Sequence, residues 1–278
     1  MELVNGYKLM EYAKDKKIVL PAFNTTNFEL TKSIIAGFNS MELGGYIEIS
    51  SNNLTLSSPE IIADMVKFCM KGTTTPIALH LDHGKSFEDV KACIEAGFTS
   101  IMIDASHLPF EENVKEVQRV VEYCHYFNIP VEAELGAISG KEDDHVVEGG
   151  GKTNPDDVRE FVELTKCDTL AVSVGNVHGM AIAPKLDFKL LEKINQLSKV
   201  PLVLHGGSGI PFEQIRKAKQ FDLIKVNFGA DLRQAYIKTF GKAYELDHNS
   251  FDMFALSKDA VMSVEDRVKT IISEVNIK

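Results

Sequence analysis

The chain has 278 residues, a net charge of -10, and an ordinary globular balance of 44% hydrophobic and 25% charged residues. The acidic balance excludes nucleic acid as a general partner, which needs a basic face, and no apolar run is long enough to span a membrane. The opening MELVNGYKLMEYAKDKK has no apolar h-region, and the cysteines Cys69, Cys93, Cys124 and Cys167 form no CxxC pair, which together predict a cytoplasmic protein with inert, reduced thiols.

In chain order, eight short apolar runs rich in β-branched residues predict strands: Ile18–Phe23, Tyr46–Ser50, Pro76–Asp82, Ser100–Asp104, Pro130–Leu135, Thr169–Val174, Pro201–His205 and Leu223–Asn227. Between them lie predicted helices at Pro59–Met70, Phe87–Ala96, Phe110–Phe127, Pro155–Thr165, Phe188–Leu197 and Pro211–Lys219. Prolines at 59, 155 and 211 suit first helical turns. This alternation implies parallel strands with right-handed crossovers. Eight units of about the right total length predict an α/β fold, a single-domain (β/α)8 TIM barrel over residues 1–278, with a helical extension from about residue 230 that includes Val264–Val275. An open doubly wound sheet would carry a glycine-rich turn after its first strand, and PAFNTTNFE has none.

The chemistry of such a barrel sits where the strands end. Here the ends are Asn24, Ser50, Asp82 with His83, Asp104, Glu134, His205 and Asn227, and the sixth strand leads within a few residues to His178. Alternation along a strand then places Glu48, His80, Glu132 and Lys225 one layer deeper. Buried charges persist only when paired, so Lys225 is expected to neutralise Glu132 or Glu48.

His83, His178 and His205 meet at one rim in this scheme, and three imidazoles with an open position suit a catalytic Zn²⁺. Glu134 and Asp104 are carboxylates within reach as a further ligand or an orienting partner. A metal-dependent hydrolase on the same barrel would carry an HxH pair in its first strand, which has no histidine. His80 is expected to be a buried partner; His125, His145 and His248 read as solvated. After the seventh strand comes HGGSGI and after the eighth NFGAD, each opening a helix. Glycines there let backbone N–H groups approach an anion, so Gly206, Gly207, Ser208, Gly229, Ala230 and Asp231 form a candidate phosphate site.

The strings PAFN, LDHG, MIDASHLPFEEN, VEAELG, ISGKED, GNVHG, PKLDF, VPLVLHGGSGIP and KVN run in order from about residue 18 to 231. They closely resemble the class II, zinc-dependent fructose-bisphosphate and tagatose-bisphosphate aldolase family. The resemblance implies a zinc-dependent lyase that cleaves a phosphorylated ketose to dihydroxyacetone phosphate and an aldehyde. His83, His178 and His205 match the zinc ligands, Glu134 the residue that touches zinc in a buried position, and Asp104 a site for a second divalent ion. Asp82 matches the acid/base, and Glu142 the proton-shuttling residue of a mobile loop, here Ser139–Thr153. Gly179, Gly206, Gly207 and Ser208 match a phosphate and monovalent-cation site, and Asn227 a contact of the dihydroxyacetone phosphate moiety; Asn24 and Ser50 join the substrate-binding set as strand-end polar groups. A homodimer or homotetramer is implied as well.

Four features depart from the family. Ala230 stands where relatives carry threonine, and Gly179-Met-Ala-Ile-Ala-Pro lacks the usual lysine. The region from Asn249 to Phe254 has no arginine to reach a far phosphate, leaving Lys258 or Arg267 as substitutes, and the stretch Glu48-Ile-Ser-Ser-Asn-Asn is unusual. Two substrates stay open: a ketose bisphosphate, or a ketose 1-phosphate whose far end is unphosphorylated or otherwise modified; a catalytically idle binding or regulatory relative is the alternative to both, and intact Asp82, Glu142 and three histidines argue against it.

Overall fold

The structure, a computed structural model, describes residues 2–142, 145–147, 150–180 and 183–277, and of 141, 142 and 145–147 the backbone alone. Its strands are β1 (Leu20–Asn24), β2 (Gly45–Ser50), β3 (Ile77–Gly84), β4 (Ser100–Ile103), β5 (Val131–Leu135), β6 (Gly140–Glu142), β7 (His145–Val147), β8 (Thr169–Val172), β9 (Leu202–Leu204) and β10 (Leu223–Phe228). All but β6 and β7 pair in parallel and close into a barrel in the order β1-β10-β9-β8-β5-β4-β3-β2. The helices are α1 (Gly6–Lys16), α2 (Phe28–Ser40), α3 (Pro59–Cys69), α4 (Phe87–Ala96), α5 (Phe110–Tyr126), α6 (Pro155–Thr165), α7 (Phe188–Leu197), α8 (Phe212–Ala218), α9 (Ala230–Leu246) and α10 (Met253–Asn276).

Local chemistry sets the helix starts. Asn27, Ser86, Asp187 and Asp252 each accept a hydrogen bond from a backbone N–H three residues on, which satisfies a donor the helix itself leaves open. Pro59 and Pro155 occupy first turns, where a missing N–H costs nothing. The first strand starts later than its apolar run because Ile18 N–H bonds Ala13 O, closing α1 after Lys17 enters the left-handed region at φ 55°.

Two cores result. The outer one lies between strands and helices and continues to Val264, Val268, Ile271 and Ile272 of α10. The inner one fills the barrel: Leu9, Met10 and Ala13 of α1 plug its base against Leu20, Ala22, Tyr46, Ala78, Met102, Ala171, Val203 and Ile224. The polar strand-end groups therefore stand on a sealed apolar floor and open at the opposite, C-terminal mouth.

The stretch read as a loop between β5 and α6 is partly ordered as an antiparallel pair, with Gly140 opposite Val147 and Glu142 opposite His145. Gly140 also bridges to His178, and His178 N–H donates to Ser139 O at 2.9 Å. The hairpin is thus fastened to the loop that carries a predicted metal ligand. Asp143 and Asp144, and the side chains of Glu142 and His145, lie outside the described residues.

Candidate active site at the barrel mouth

Strict alternation would send Asp82 and His83 to opposite sides of the sheet, yet both meet groups at the mouth. The pairing of β3 with β4 shifts register between Leu81 and Gly84, and His83 takes φ 106°, a conformation non-glycine residues seldom adopt. The bulge re-aims His83. Backbone strain of this kind costs on the order of 1–3 kcal/mol and persists only where surroundings enforce it.

His83, His178 and His205 each bring a ring nitrogen into one cluster in which all three lie within 4.8 Å of one another. His83 Nδ1 is 3.0 Å from Asp104 Oδ2, and His205 Nε2 is 2.8 Å from Glu132 Oε1. With each carboxylate taking the N–H of its partner ring, the inward nitrogens are His83 Nε2 and His205 Nδ1. Those two nitrogens stand 2.8 Å apart. That is hydrogen-bond distance, so one proton shared between the two rings bridges them, at the place a divalent ion would take. Burial also holds His205 below the usual histidine range, favouring the neutral ring that binds metal. The donor set therefore fits a divalent ion of the borderline-soft kind.

Glu134 adds a second fit. Its Oε1 accepts from Ser106 Oγ at 3.2 Å and Ile138 N at 3.1 Å, while its buried Oε2 has no partner among the described residues. Burial, reinforced by the Asp104 charge, raises the Glu134 carboxyl well above the ordinary range. A carboxylate from each of His83's neighbours, Asp104 and Glu134, clusters with His83 as another group able to hold a metal. Burial alone would raise Asp104, but the hydrogen bond and charge of His83 and two hydrogen bonds from Ser106 hold it below the usual carboxylate range.

Asp82 is buried between two amides: Asn24 Nδ2 donates to Oδ2 at 2.7 Å and Asn227 Nδ2 to Oδ1 at 3.0 Å. Its Oδ1 lies 3.7 Å from His83 Nε2 and 3.8 Å from His205 Nδ1. The carbonyl oxygens of Asn24 and Asn227 are buried without a hydrogen-bond partner among the described residues.

One layer below, the expectation for Lys225 is met on both sides. Its Nζ lies 2.8 Å from Glu48 Oε1 and 2.8 Å from Glu132 Oε2. It also donates to His80 Nε2 at 3.2 Å, which fixes His80 Nδ1–H on Ser100 Oγ at 2.8 Å. Burial drives Glu48 strongly toward its neutral form and opposes charge on Glu132, but Lys225 and His205 hold Glu132 ionised. The layer thus carries one cation against one anion.

The predicted phosphate residues gather on the β8–β10 side. Gly206 sits at φ 71°, and a Cβ there would meet Val177 O at 2.3 Å. Gly207 packs so close to Asn227 O that a Cβ would stand 2.6 Å away. Ser208 Oγ accepts from Asp231 N at 3.1 Å, at the start of α9, which Gly229 and Ala230 open. The Asp231 carboxylate is turned to Arg267 Nη2 at 2.8 Å, so its offer to an anion is its backbone, not its side chain. Gly179 follows His178 at φ 90°.

Ser50 belongs elsewhere. It accepts from Asn53 Nδ2 at 2.9 Å and lines a cleft of about 370 Å³ on the β2–β5 side with Ser51, Asn52, His83, Lys85, Asp104, Ser106, His107, Glu134 and His178. Lys85, Ser106 and His107 were not singled out as site residues; only the motif after the fourth strand, ASHLPF, hinted at the last two. His125 is exposed, as expected, and pairs at the surface with Asp168 at 2.9 Å, where α5 ends beside the loop before β8. Cys93, Cys124 and Cys167 are buried free thiols and Cys69 half-buried.

Comparison with known proteins agrees with this architecture. The family model described as fructose-bisphosphate aldolase class-II matches residues 4–278. The chain belongs to the class II fructose-bisphosphate aldolase family. It is 41% identical over 256 residues to the fructose-bisphosphate aldolase of Geobacillus stearothermophilus, covering 91% of this chain and 89% of that protein. It is 38% identical over 278 residues to the enzyme of the same name from Staphylococcus epidermidis strain RP62A, covering 99% and 97%. Among solved structures, the YdjI aldolase of Escherichia coli K12 superposes with a TM-score of 0.85 at 29% identity, over 99% of this chain and 97% of that one. The fold is that of class II aldolases, the activity is that of an aldolase, a lyase, and the family is zinc-dependent. Among the described residues no helix is long and apolar enough to cross a membrane.

Proposed function

We propose that this chain reversibly cleaves a ketose 1-phosphate to dihydroxyacetone phosphate and an aldehyde, with one Zn²⁺ held by His83, His178 and His205. The supporting observation is the pair of inward ring nitrogens 2.8 Å apart, each ring committed on its other side to a carboxylate. The ion would polarise the ketone carbonyl as a Lewis acid. Glu134, through its unpartnered Oε2, and Asp104 are the further carboxylates for that ion or a second divalent one.

The residues of the chain divide the remaining work. The 1-phosphate would sit on backbone N–H groups around Gly179, Gly206, Gly207, Gly229, Ala230 and Asp231, with Ser208 adding its hydroxyl and a monovalent cation accompanying it. Asp82, held by Asn24 and Asn227, takes the proton of the C4 hydroxyl. The C3–C4 bond then breaks, its electrons go to C3, and C4 leaves as the aldehyde. Glu142 returns a proton to C3. Asp82 is fixed at a strand end, and the backbone of Glu142 belongs to the hairpin tied to His178.

A far end other than phosphate is favoured by one contact. Arg267, the arginine of α10 that could serve a second phosphate, is engaged by Asp231. Exposed Leu246, Phe251 and Phe254 around the turn from α9 to α10 suit burial in a homodimer or homotetramer.

The test is retro-aldol turnover of fructose 1,6-bisphosphate, tagatose 1,6-bisphosphate and a panel of ketose 1-phosphates, before and after chelation. Chelated protein should lose at least about 1,000-fold in rate, since Lewis-acid polarisation is worth several kcal/mol, and zinc should restore it. Undiminished cleavage by metal-free protein would refute the proposal.

A further inference from the structure

Lys85 has no part in the chemistry above, yet among the described residues lining the cleft it is the one lysine or arginine. Its Nζ donates to Asn52 Oδ1 at 2.6 Å, and it forms no ion pair among the described residues. Asn52 belongs to a short 3-10 turn, Ser51–Thr55, that follows β2. That turn is itself pinned: Ser51 Oγ donates to His83 O at 2.7 Å, and Asn53 Nδ2 holds Ser50 Oγ. The unusual Ser-Ser-Asn-Asn stretch thus becomes a bracket that holds a lysine amine at the wall of the cleft.

The order of strands says what the amine would meet. The glycine-built cradle belongs to the loops after β8, β9 and β10, whereas the cleft belongs to the loops after β2, β3, β4 and β5, with His178 between them. A ketose with its 1-phosphate in the cradle and its C2 carbonyl at the histidines extends C4 and beyond into the cleft. The aldehyde half then lies along the wall bearing Lys85.

We infer that Lys85, positioned by Asn52, is the specificity-determining residue for the aldehyde half and recognises a carboxylate, rather than a second phosphate, at the substrate's far end. The reading rests on the proposed ketose 1-phosphate cleavage and narrows its substrate class. An amine with only a neutral amide as partner gains most from an anion, since hydrogen bonds between charged groups are about twice as strong as neutral ones.

The experiment compares wild type, Lys85→Met and Lys85→Arg on three ketose 1-phosphates that differ only in the terminal group: hydroxymethyl, carboxylate or phosphate. Wild type should prefer the carboxylate sugar, and a preference for the phosphate sugar over it overturns the inference. Lys85→Met should raise KM for the carboxylate sugar by about tenfold or more, the worth of one charged hydrogen bond, with kcat held within about twofold. KM for the hydroxymethyl sugar should stay within about twofold, and Lys85→Arg should recover most of the loss. Asn52→Ala should move KM in the same direction by less. Preference for the hydroxymethyl sugar, or an equal change or none on all three, overturns the inference. Absence of cleavage of any sugar by zinc-loaded wild type sinks the parent reading instead.

Discussion

The two halves of the barrel mouth are built from different material. On the β8–β10 side the walls are backbone: Gly206 and Gly207 lie where a Cβ would collide with Val177 O or Asn227 O, and Ser208 is tied to the start of α9. On the β2–β5 side they are side chains: Ser51, Asn52, Lys85, Ser106 and His107. A backbone site tolerates little substitution and suits a group common to every substrate, such as a phosphate. A side-chain wall can change residue by residue without disturbing the fold, so it suits the part of a substrate that differs between relatives.

Lys225 underlies both halves, and its removal should have the largest effect. It bonds Glu48 of β2 and Glu132 of β5, and Glu132 in turn holds His205. Lys225→Met leaves the Glu132 carboxylate buried without its cation, which typically costs about 3–5 kcal/mol. Denaturant titration should show that loss. Zinc affinity of whatever remains folded should fall about 10–100-fold, because the partner orienting His205 is disturbed. A variant as stable as wild type would mean that the two halves do not share this base.

Gly206→Ala should act on one half alone. The added methyl must displace Val177 O, next to His178, from a left-handed position at φ 71°. KM should rise roughly 10–100-fold for every ketose 1-phosphate, equal to losing about 1.4–2.8 kcal/mol of phosphate binding. The rise should be the same whatever the far end carries. A change that depended on the far end would break the division between the halves.

Much of this was legible in the sequence, and for a physical reason. Barrel strands alternate in and out, so Asp82 points to His80, Glu134 to Glu132, and Asn227 to Lys225; charges buried at that depth must pair, which singled out Lys225. What alternation could not supply was His83. It points inward beside Asp82 only because of the register shift before Gly84 and its own positive φ, and no residue pattern marks a bulge there. Lys85 escaped for a related reason: it becomes a wall of the cleft only when Asn52, more than thirty residues earlier in the chain, folds back over β3. Likewise α1 plugs the barrel through Leu9, Met10 and Ala13, a role that exists only once the barrel closes.

The smallest expected effect lies on the cleft side and concerns acid. Asp104 is held below the ordinary carboxylate range: burial pushes it up, but His83 and Ser106 outweigh burial. A carboxyl depressed in the folded state adds stability that is fully present above its unfolded value of about 3.9 and is lost as pH falls through its folded value. In metal-free protein the stability difference between wild type and Asp104→Asn should therefore be level at neutral pH and shrink progressively once pH drops below about 4. Equilibrium unfolding across that range measures it. The sign is the informative part: a difference that grew on acidification would mean that Asp104 is neutral in the fold, and His83 would then lack the carboxylate that turns its Nε2 toward His205.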